Sequence, residues 1–487
     1  MATHTASYHE LSRESAGSIR ESLLKWYTLN RRELPWRAPF WSAPEGTRAD
    51  DVADVFAYHV WISEVMLQQT QVATVIAYFN KFVSTWPTLA DLAAAQLDDV
   101  LAAWAGLGYY RRARLLHKGA QAVMGPEFGG VLPRDPVQLK KIPGIGPYTA
   151  GAISSIAFGC PAPIVDGNVV RVVARLRALG AMPSSPIFWE YATALVDPHR
   201  PGDLNQALME LGATVCTKAN PSCGSCPIRD HCLARAEVSS TRAAAVNALG
   251  FTPLATQPKV ANIRAESPDP ATVAPKTKRA KLLDGSPRPS ARSHVVIELD
   301  DESKPACELC FGWEEAGTPT ASVTKYPRKK KKTKVRSEIL AAAVIYRRRD
   351  DGAPLEILVE QRPPTGLLAG LWQLAAIPLD DIDAADNIAA VEAGLNAKLA
   401  TMLNAPAAYV EPSTFARATV PVVRHRFSHI AQTIAVFVAC TAAGDDPEAL
   451  PATTRWLPLS NVSSAAVPTR LKKILKAAKS SLPSNRK

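Results

Sequence analysis

From Glu237 to about Ser337 the chain loses its apolar patterning, and Ala, Ser, Pro, Thr and Lys dominate, as in ESPDPATVAPKTKRAKLLDGSPRPSARS. Such a stretch cannot bury enough apolar surface to offset the entropy of ordering it. It therefore divides the 487 residues into two separate cores. The division suits the length, because single cores stop growing near ~250–300 residues. The expectation is a first domain at 16–236, a flexible basic linker at 237–337 with an ordered patch near CELCFGW, and a second domain at 338–480.

The two flanking parts differ in hydrophobic period. In the first, VWISEVMLQQTQVATVIAYFNKFVSTW places apolar residues at helical spacing, and TLADLAAAQLDDVLAAWAGLG repeats the pattern up to a Gly stop. In the second, ILAAAVIYRRRDDGAPLEILVEQR reads as strand, Asp-Asp-Gly turn, strand. RFSHIAQTIAVFVACTA reads as a further strand, and PTRLKKILKAAKSSL closes as an amphipathic helix. The fold class is thus multidomain, an all-α domain followed by an α+β domain.

A net charge of +11 suits a partner with a phosphate backbone. Part of the excess sits in the linker: seven of the nine residues from Arg328 to Arg336 are basic, and KTKRAK begins at Lys276. Runs of this kind are solvated, and they also act as nuclear import signals. The nucleus is the expected location, with the mitochondrion as the second option. No run of about 18 apolar residues occurs, so no membrane partner is expected. The N-terminal MATHTASYHELSRESAGSIR lacks an apolar signal core, which argues for reducing surroundings in which structural disulfides are rare.

That matters for VCTKANPSCGSCPIRDHC, where Cys216, Cys223, Cys226 and Cys232 are spaced x6, x2 and x5. Disulfides are the least favoured reading. Zinc sites usually show two C-x2–4-C knuckles, and only Cys223/Cys226 make one. A cubane iron–sulfur cluster takes one thiolate per iron from a wider loop, and the spacing favours it weakly. Cys307 and Cys310 are half of a zinc site or, more simply, a reduced pair, while Cys160 and Cys440 read as plain core.

Two further stretches carry chemistry. LKKIPGIGPYTAGAISSIAF places Gly144 and Gly146 between two helical segments, the second opening with Pro147. Backbone amides turned outward at such a junction suit one DNA phosphate. Downstream, PIVDGNVVRVVARL sets Asp166 and Asn168 before a helix, where both read first as caps. DNA laid across the hairpin would also bring a deoxyribose to Asp166, whose carboxylate could stabilise a positive charge on that sugar.

The pattern L-x-x-I-P-G-I-G-x-x-T-A resembles the helix-hairpin-helix signature. With Asp166 and the four-cysteine loop in this order, the first domain resembles the helix-hairpin-helix DNA glycosylase superfamily. The resemblance implies a [4Fe–4S] cluster on Cys216, Cys223, Cys226 and Cys232, in the loop 216–232. Bifunctional relatives such as endonuclease III carry a Schiff-base lysine where this chain has Tyr148. Lys141 lies before the hairpin, so the resemblance is to a monofunctional enzyme. LPWR (Leu34 to Arg37) and WISEVMLQQTQV (Trp61 to Val72) resemble the MutY adenine glycosylases.

In that family's pattern Glu64 is the general acid, Asp166 steadies the sugar cation, and Tyr148 hydrogen-bonds within the acid/base group. Gln69 and Thr70 form the DNA wedge, and Tyr109 stands between bases near the lesion. Leu34, Trp36, Arg37, Val72 and Glu210 line the adenine pocket. The stretch APFWSAPEGTRADDVADVF is a departure from compact relatives. In the second domain, EQRPPTGLLAGLWQLA resembles the Nudix-like domain of MutY proteins, and RHRFSHIAQTI its lesion-reading loop. Phe427, Ser428 and His429 would then sense oxidised guanine. DDIDAADNIAAVEAGLNAKL lacks the carboxylate-rich run a Nudix pyrophosphatase needs, so recognition without hydrolysis is implied.

The function implied is hydrolysis of the N-glycosidic bond of adenine mispaired with 8-oxoguanine, or with guanine, in double-stranded DNA. Repair or replication proteins would dock on the linker. A glycosylase that protonates its leaving base near neutral pH needs Glu64 with a raised pKa, and desolvation in a closed pocket would supply it. The rivals are an endonuclease III-like glycosylase/lyase, disfavoured by Tyr148 and the second domain, and a non-catalytic DNA-damage binder, disfavoured by the presence of both Glu64 and Asp166.

Overall fold

The structure is a computed structural model that describes residues 6–38, 42–48, 51–239, 322–329, 335–347, 354–404, 415–427, 429–441 and 450–483. Cys307, Cys310, the basic run at Lys276, the CELCFGW patch, the Asp-Asp-Gly turn and most of the linker lie outside these residues. No helix among those described is long and apolar enough to cross a membrane.

The N-terminal part is helical throughout. Helix α1 (Arg13–Asn30) starts at Ser12, whose hydroxyl accepts the Ser15 N–H, and buries Ala16, Ile19, Leu23 and Tyr27 along one stripe. Helix α2 (Val52–Leu67) is buried all round from Phe56 to Met66, so it is the central helix and not the amphipathic one its neighbours suggest. The single helical run expected over Trp61–Trp86 breaks at Gln68–Gln71. There Gln69 takes a left-handed φ of 57°, and α3 (Val72–Thr85) begins after the break. The next run breaks likewise, into α4 (Leu89–Ala94) with a Thr88/Asp91 capping box and α5 (Leu97–Ala103). Then follow α6 (Arg111–Val123), α7 (Pro136–Leu139), α8 (Pro147–Ala152), α9 (Gly167–Leu176), α10 (Ile187–Leu195) and α11 (Pro201–Thr214).

These helices form two lobes. One apolar cluster gathers α2, α3, α5 and α6 with the hairpin residues Ile142 and Ile145. The other gathers α1, α9, α10 and α11 with the cysteine loop. The second lobe reaches beyond 16–236 at both ends. Buried His9 and Arg177 exchange hydrogen bonds, Nδ1 to the Arg177 carbonyl at 2.7 Å and Arg177 Nε to the His9 carbonyl at 2.9 Å. Val323 and Tyr326, inside the expected linker, are buried in the same cluster. Segments this short have no periodicity to read. Within the second lobe, Gly212 of α11 rests on Asn168, where an added Cβ would stand 2.7 Å from the Asn168 Cβ, so only glycine lets α11 approach the start of α9.

Among its described residues the C-terminal part forms a seven-stranded mixed sheet in the order β3-β2-β1-β6-β5, with β4 on β1 and β7 on β2. Its strands are β1 (Arg336–Arg347), β2 (Glu356–Gln361), β3 (Trp372–Gln373), β4 (Ala375–Leu379), β5 (Ala416–Arg426), β6 (Ile430–Cys440) and β7 (Thr454–Pro458). β1 and β6 pair in parallel along the register Arg336↔Ile430 to Tyr346↔Cys440, which explains their long apolar centres, since helices cover both faces. The helix Ile388–Leu403 covers one face and Thr469–Ala478 the other. Contrary to expectation, Cys440 is exposed at the end of β6 and Cys160 is only half-buried.

Candidate active site

Between the two lobes lies a cavity of about 440 Å³. Glu64 enters it from α2 and is 5% exposed. The Tyr148 hydroxyl, on the second residue of α8, donates to Glu64 Oε2 and stands 3.5 Å from Met209 Sδ. Burial pushes the Glu64 carboxyl up from 4.5 to about 7, with nearby Asp166 adding to the rise. The hydrogen bond from Tyr148 and the charge of Arg37 oppose it. The Tyr148 phenol is pushed well above its usual range by burial and by the two carboxylates, so it remains a donor at any physiological pH.

Asp166 faces the same cavity from the other lobe. Its Oδ1 accepts the backbone N–H groups of Asn168 and Val169 at 2.9 and 2.8 Å, and its Oδ2 accepts Asn168 Nδ2 at 2.7 Å. The cap of α9 is therefore Asp166 alone, and Asn168 is no cap. Its side chain braces Asp166 and is itself held by Arg171 Nη2 at 2.7 Å.

Leu34, Trp36, Arg37, Gln69, Thr70, Val72 and Glu210 also line the cavity. The carboxylate of Glu210 is closed to solvent, accepting from Arg32 Nε and Nη2 at 2.6 and 3.0 Å and from Arg37 Nη2 at 2.8 Å. Burial alone would raise its pKa, but the two guanidinium groups prevail and hold it below the usual value. Glu210 thus acts on the cavity by fixing Arg37. Arg32 is the partner that sequence reasoning missed, having nothing to distinguish it from the neighbouring Arg31.

At the rim, Gln69 and Tyr109 share an uncommon backbone: both are left-handed, with φ of 57° and 50°. Such strain costs about 1–3 kcal/mol per residue and persists only where the surroundings impose it. Arg112 imposes it. Its Nη1 donates to the carbonyls of Val65, Met66 and Gln68 at 2.8, 2.9 and 2.6 Å, and its Nη2 reaches Gly108 O at 3.1 Å and Thr70 Oγ1 at 3.3 Å. The guanidinium also lies over the Tyr109 ring at 5.4 Å, and burial lowers its pKa to about 10. It ties the end of α2 to the turn before α6, leaving the Tyr109 ring half-exposed. Among the basic residues of GLGYYRRAR nothing marks it out in sequence.

Other candidates lie apart from the cavity. Gly144, left-handed at φ 89°, and Gly146 form the turn between α7 and α8. Phe427 and His429 lie at the tip of the β5–β6 hairpin, where the Phe427 N–H donates to Ile430 O at 2.7 Å and His425 packs edge-on to the Phe427 ring. Ser428 lies outside the described residues.

The four loop cysteines surround a small cavity of their own, with Arg175, Arg229 and Arg235 in its walls. They form no disulfide. Burial pushes the Cys226 and Cys232 thiols to about 11 and about 12, so each holds its proton unless a metal displaces it. Among the described residues no three His, Cys, Asp or Glu side chains converge on one ion-sized point. Four thiols lining one small space, with cationic side chains in its walls, are a donor set that fits an anionic multi-iron cluster.

Comparison with known proteins gives the family. Residues 62–192 match the family described as HhH-GPD superfamily base excision DNA repair protein, and 342–477 match a NUDIX domain. The adenine DNA glycosylase of Homo sapiens is 39% identical over 487 residues, spanning 98% of this chain and 77% of that protein. The adenine DNA glycosylase of Rattus norvegicus is 37% identical over 484 residues, spanning 98% and 81%. Among solved structures, one of a thermostable thymine-DNA glycosylase aligns with a TM-score of 0.40 at 25% identity, covering 46% of this chain and 97% of its own.

Proposed function

The chain belongs to the adenine DNA glycosylases of base excision repair, and on that premise we propose that it excises adenine paired with 8-oxoguanine or guanine by a monofunctional mechanism. The observation that carries the reading is the pair of carboxylates facing one cavity in unlike surroundings, Glu64 dry and held by Tyr148, Asp166 held by backbone N–H groups.

The adenine is extruded from the duplex into the cavity, at a cost of a few kcal/mol. Glu64 transfers its proton to N7 of the adenine. The C–N bond then breaks, its electron pair leaving with the base, and an oxocarbenium-like sugar remains. Asp166 lies on the far side of the cavity to offset that charge electrostatically, and the donors from Asn168 and Val169 keep it in place. Water adds to the sugar carbon and returns a proton to Glu64. Among the described residues lining the cavity there is no lysine, so no amine is at hand for a Schiff base. This favours simple hydrolysis over strand cleavage.

Phe427, Ser428 and His429 are assigned to reading the base opposite the adenine. An aromatic ring beside a hydroxyl and an imidazole suits stacking with hydrogen bonds to a base edge. The helix Ile388–Leu403 carries Glu392 as its only carboxylate, which supports recognition without pyrophosphatase chemistry. Cys216, Cys223, Cys226 and Cys232 would hold a [4Fe–4S] cluster, which when bound cross-links the loop and shapes the DNA-facing lobe. The hairpin at Gly144–Gly146 would seat a phosphate, and the basic runs support import into the nucleus.

The test presents the protein with duplexes bearing adenine opposite 8-oxoguanine, guanine or thymine. Breaks that require alkali and are strongest opposite 8-oxoguanine are the expected result. Breaks without alkali would establish lyase activity and overturn the monofunctional assignment.

A further inference from the structure

The second domain touches the first at a point remote from both cavities. Asp98, in the first turn of α5, accepts the indole N–H of Trp372 at 3.2 Å and faces Arg455 Nη1 at 3.6 Å. The Arg455 guanidinium lies over the Trp372 ring, 3.9 Å from its centre. Trp372 is 4% exposed, so its N–H is a buried donor whose partner comes from the other domain. Nearby, the Tyr110 hydroxyl accepts the Gly106 N–H at 3.3 Å and donates to Val467 O at 3.4 Å. Gly370 stands so close to Arg114 that an added Cβ would lie 2.7 Å from its Nη1. One apolar cluster runs unbroken from Trp61 and Trp104 through Tyr110 into Leu371, Trp372 and Val462.

These contacts fall on α5 and α6, the two helices that flank the turn presenting Tyr109. Arg112, in the first turn of α6, is hydrogen-bonded to the end of α2, the helix that carries Glu64. A chain of contacts therefore runs from the sheet domain, through Asp98, to the strained rim and the acid-bearing helix.

We propose that Asp98 is a positioning residue for specificity, latching the second domain through Trp372 and Arg455 so that engagement of the base opposite the adenine is felt at the excision site. The inference rests on the reading that the second domain senses that base. Asp98 lines neither cavity, so the machinery that cuts adenine opposite guanine should not need it. Loss of the latch should lower the preference for 8-oxoguanine over guanine by at least about fivefold, the low end of coupling between two sites.

The experiment measures single-turnover excision of adenine opposite 8-oxoguanine and opposite guanine by the full chain and four variants. Asp98→Ala should cut the ratio while leaving the rate opposite guanine within about twofold. Asp98→Asn, which keeps an acceptor for the indole but loses the charge facing Arg455, should fall between. Trp372→Phe removes the donor from the other side and should lower the ratio as Asp98→Ala does. The double variant should show little further loss, because one shared contact is broken only once. Equal losses on both substrates would show that Asp98 merely supports α5, and an unchanged or fully additive ratio would show that the latch carries no specificity. Either overturns the proposal. A wild-type protein without any preference for 8-oxoguanine would instead sink the lesion-sensing reading, and the latch with it.

Discussion

Tyr148→Phe separates the two roles the tyrosine could have. The phenol donates to Glu64 Oε2 and thereby favours the ionised carboxylate, so the Glu64 value of about 7 already includes that downward pull. A hydrogen bond to a charged acceptor is worth about 1.5–3 kcal/mol, and one pKa unit is about 1.4 kcal/mol. Removing the hydroxyl should therefore raise the Glu64 pKa by about one to two units. Excision needs protonated Glu64, so the rate declines as pH rises through that pKa. In the wild type the alkaline decline should centre near 7. In Tyr148→Phe it should move to higher pH, with a lower plateau because the acid is weaker and less well aimed. The assay is single-turnover excision from about pH 5 to about pH 9, in both proteins. A midpoint that stays put would show that the tyrosine does not bond to the reacting acid. A midpoint that moves down would show that the phenol stabilises the protonated acid and not the carboxylate.

Other outcomes follow from the same geometry. A carboxyl raised from 4.5 to about 7 binds more protons folded than unfolded, so its contribution to stability is lost as pH climbs through that window; the cost above it is about 3 kcal/mol. Glu64→Gln should abolish excision yet melt higher than wild type at alkaline pH, and a melting temperature equal to or below wild type there would contradict the burial argument. Arg112→Ala leaves the buried Val65 and Met66 carbonyls without this donor, at about 1–3 kcal/mol each, and takes it from the half-buried Gln68 carbonyl as well. It should depress both the melting temperature and the excision rate, whereas a fully active, normally stable variant would show that the rim holds its shape unaided. Cys226→Ser should yield protein with reduced iron and weakened DNA binding, read by absorbance and by titration, and a full iron content would remove Cys226 from the ligand set.

Local chemistry was legible where it depends on nearest neighbours. Pro147 at the opening of α8 and Asp166 before α9 both follow from backbone rules acting within a few residues. The breaks at Gln68–Gln71 and at Ala95 were not legible, because the residues there continue the helical pattern without interruption. Tertiary contacts decide them: Arg112 draws the carbonyls of Val65, Met66 and Gln68 to itself from more than forty positions away, and the helix ends where those carbonyls find it. The attachment of Val323 and Tyr326 to the second lobe has the same origin. Two apolar side chains in a polar stretch carry no period, so only the surface that receives them can define their place.

The site shows how far such reasoning reaches. Glu64 and Asp166 are each recognisable from their motifs, but their difference in character is not a property of either motif. It arises because α2 is buried on every side while Asp166 sits at a helix start, where backbone N–H groups are waiting. The first condition penalises charge and the second supplies N–H donors to a carboxylate, so two carboxyl groups facing one cavity are held in unlike surroundings. Gly212 completes the arrangement by letting α11 close on Asn168, which braces Asp166 from behind. A side chain at that position would have to displace Asn168. Gly212→Ala should therefore weaken excision through Asp166, and because the charge of Asp166 adds to the rise of the Glu64 carboxyl, the pH midpoint should stay near 7 or move slightly down; a midpoint that moves up would contradict the bracing of Asp166.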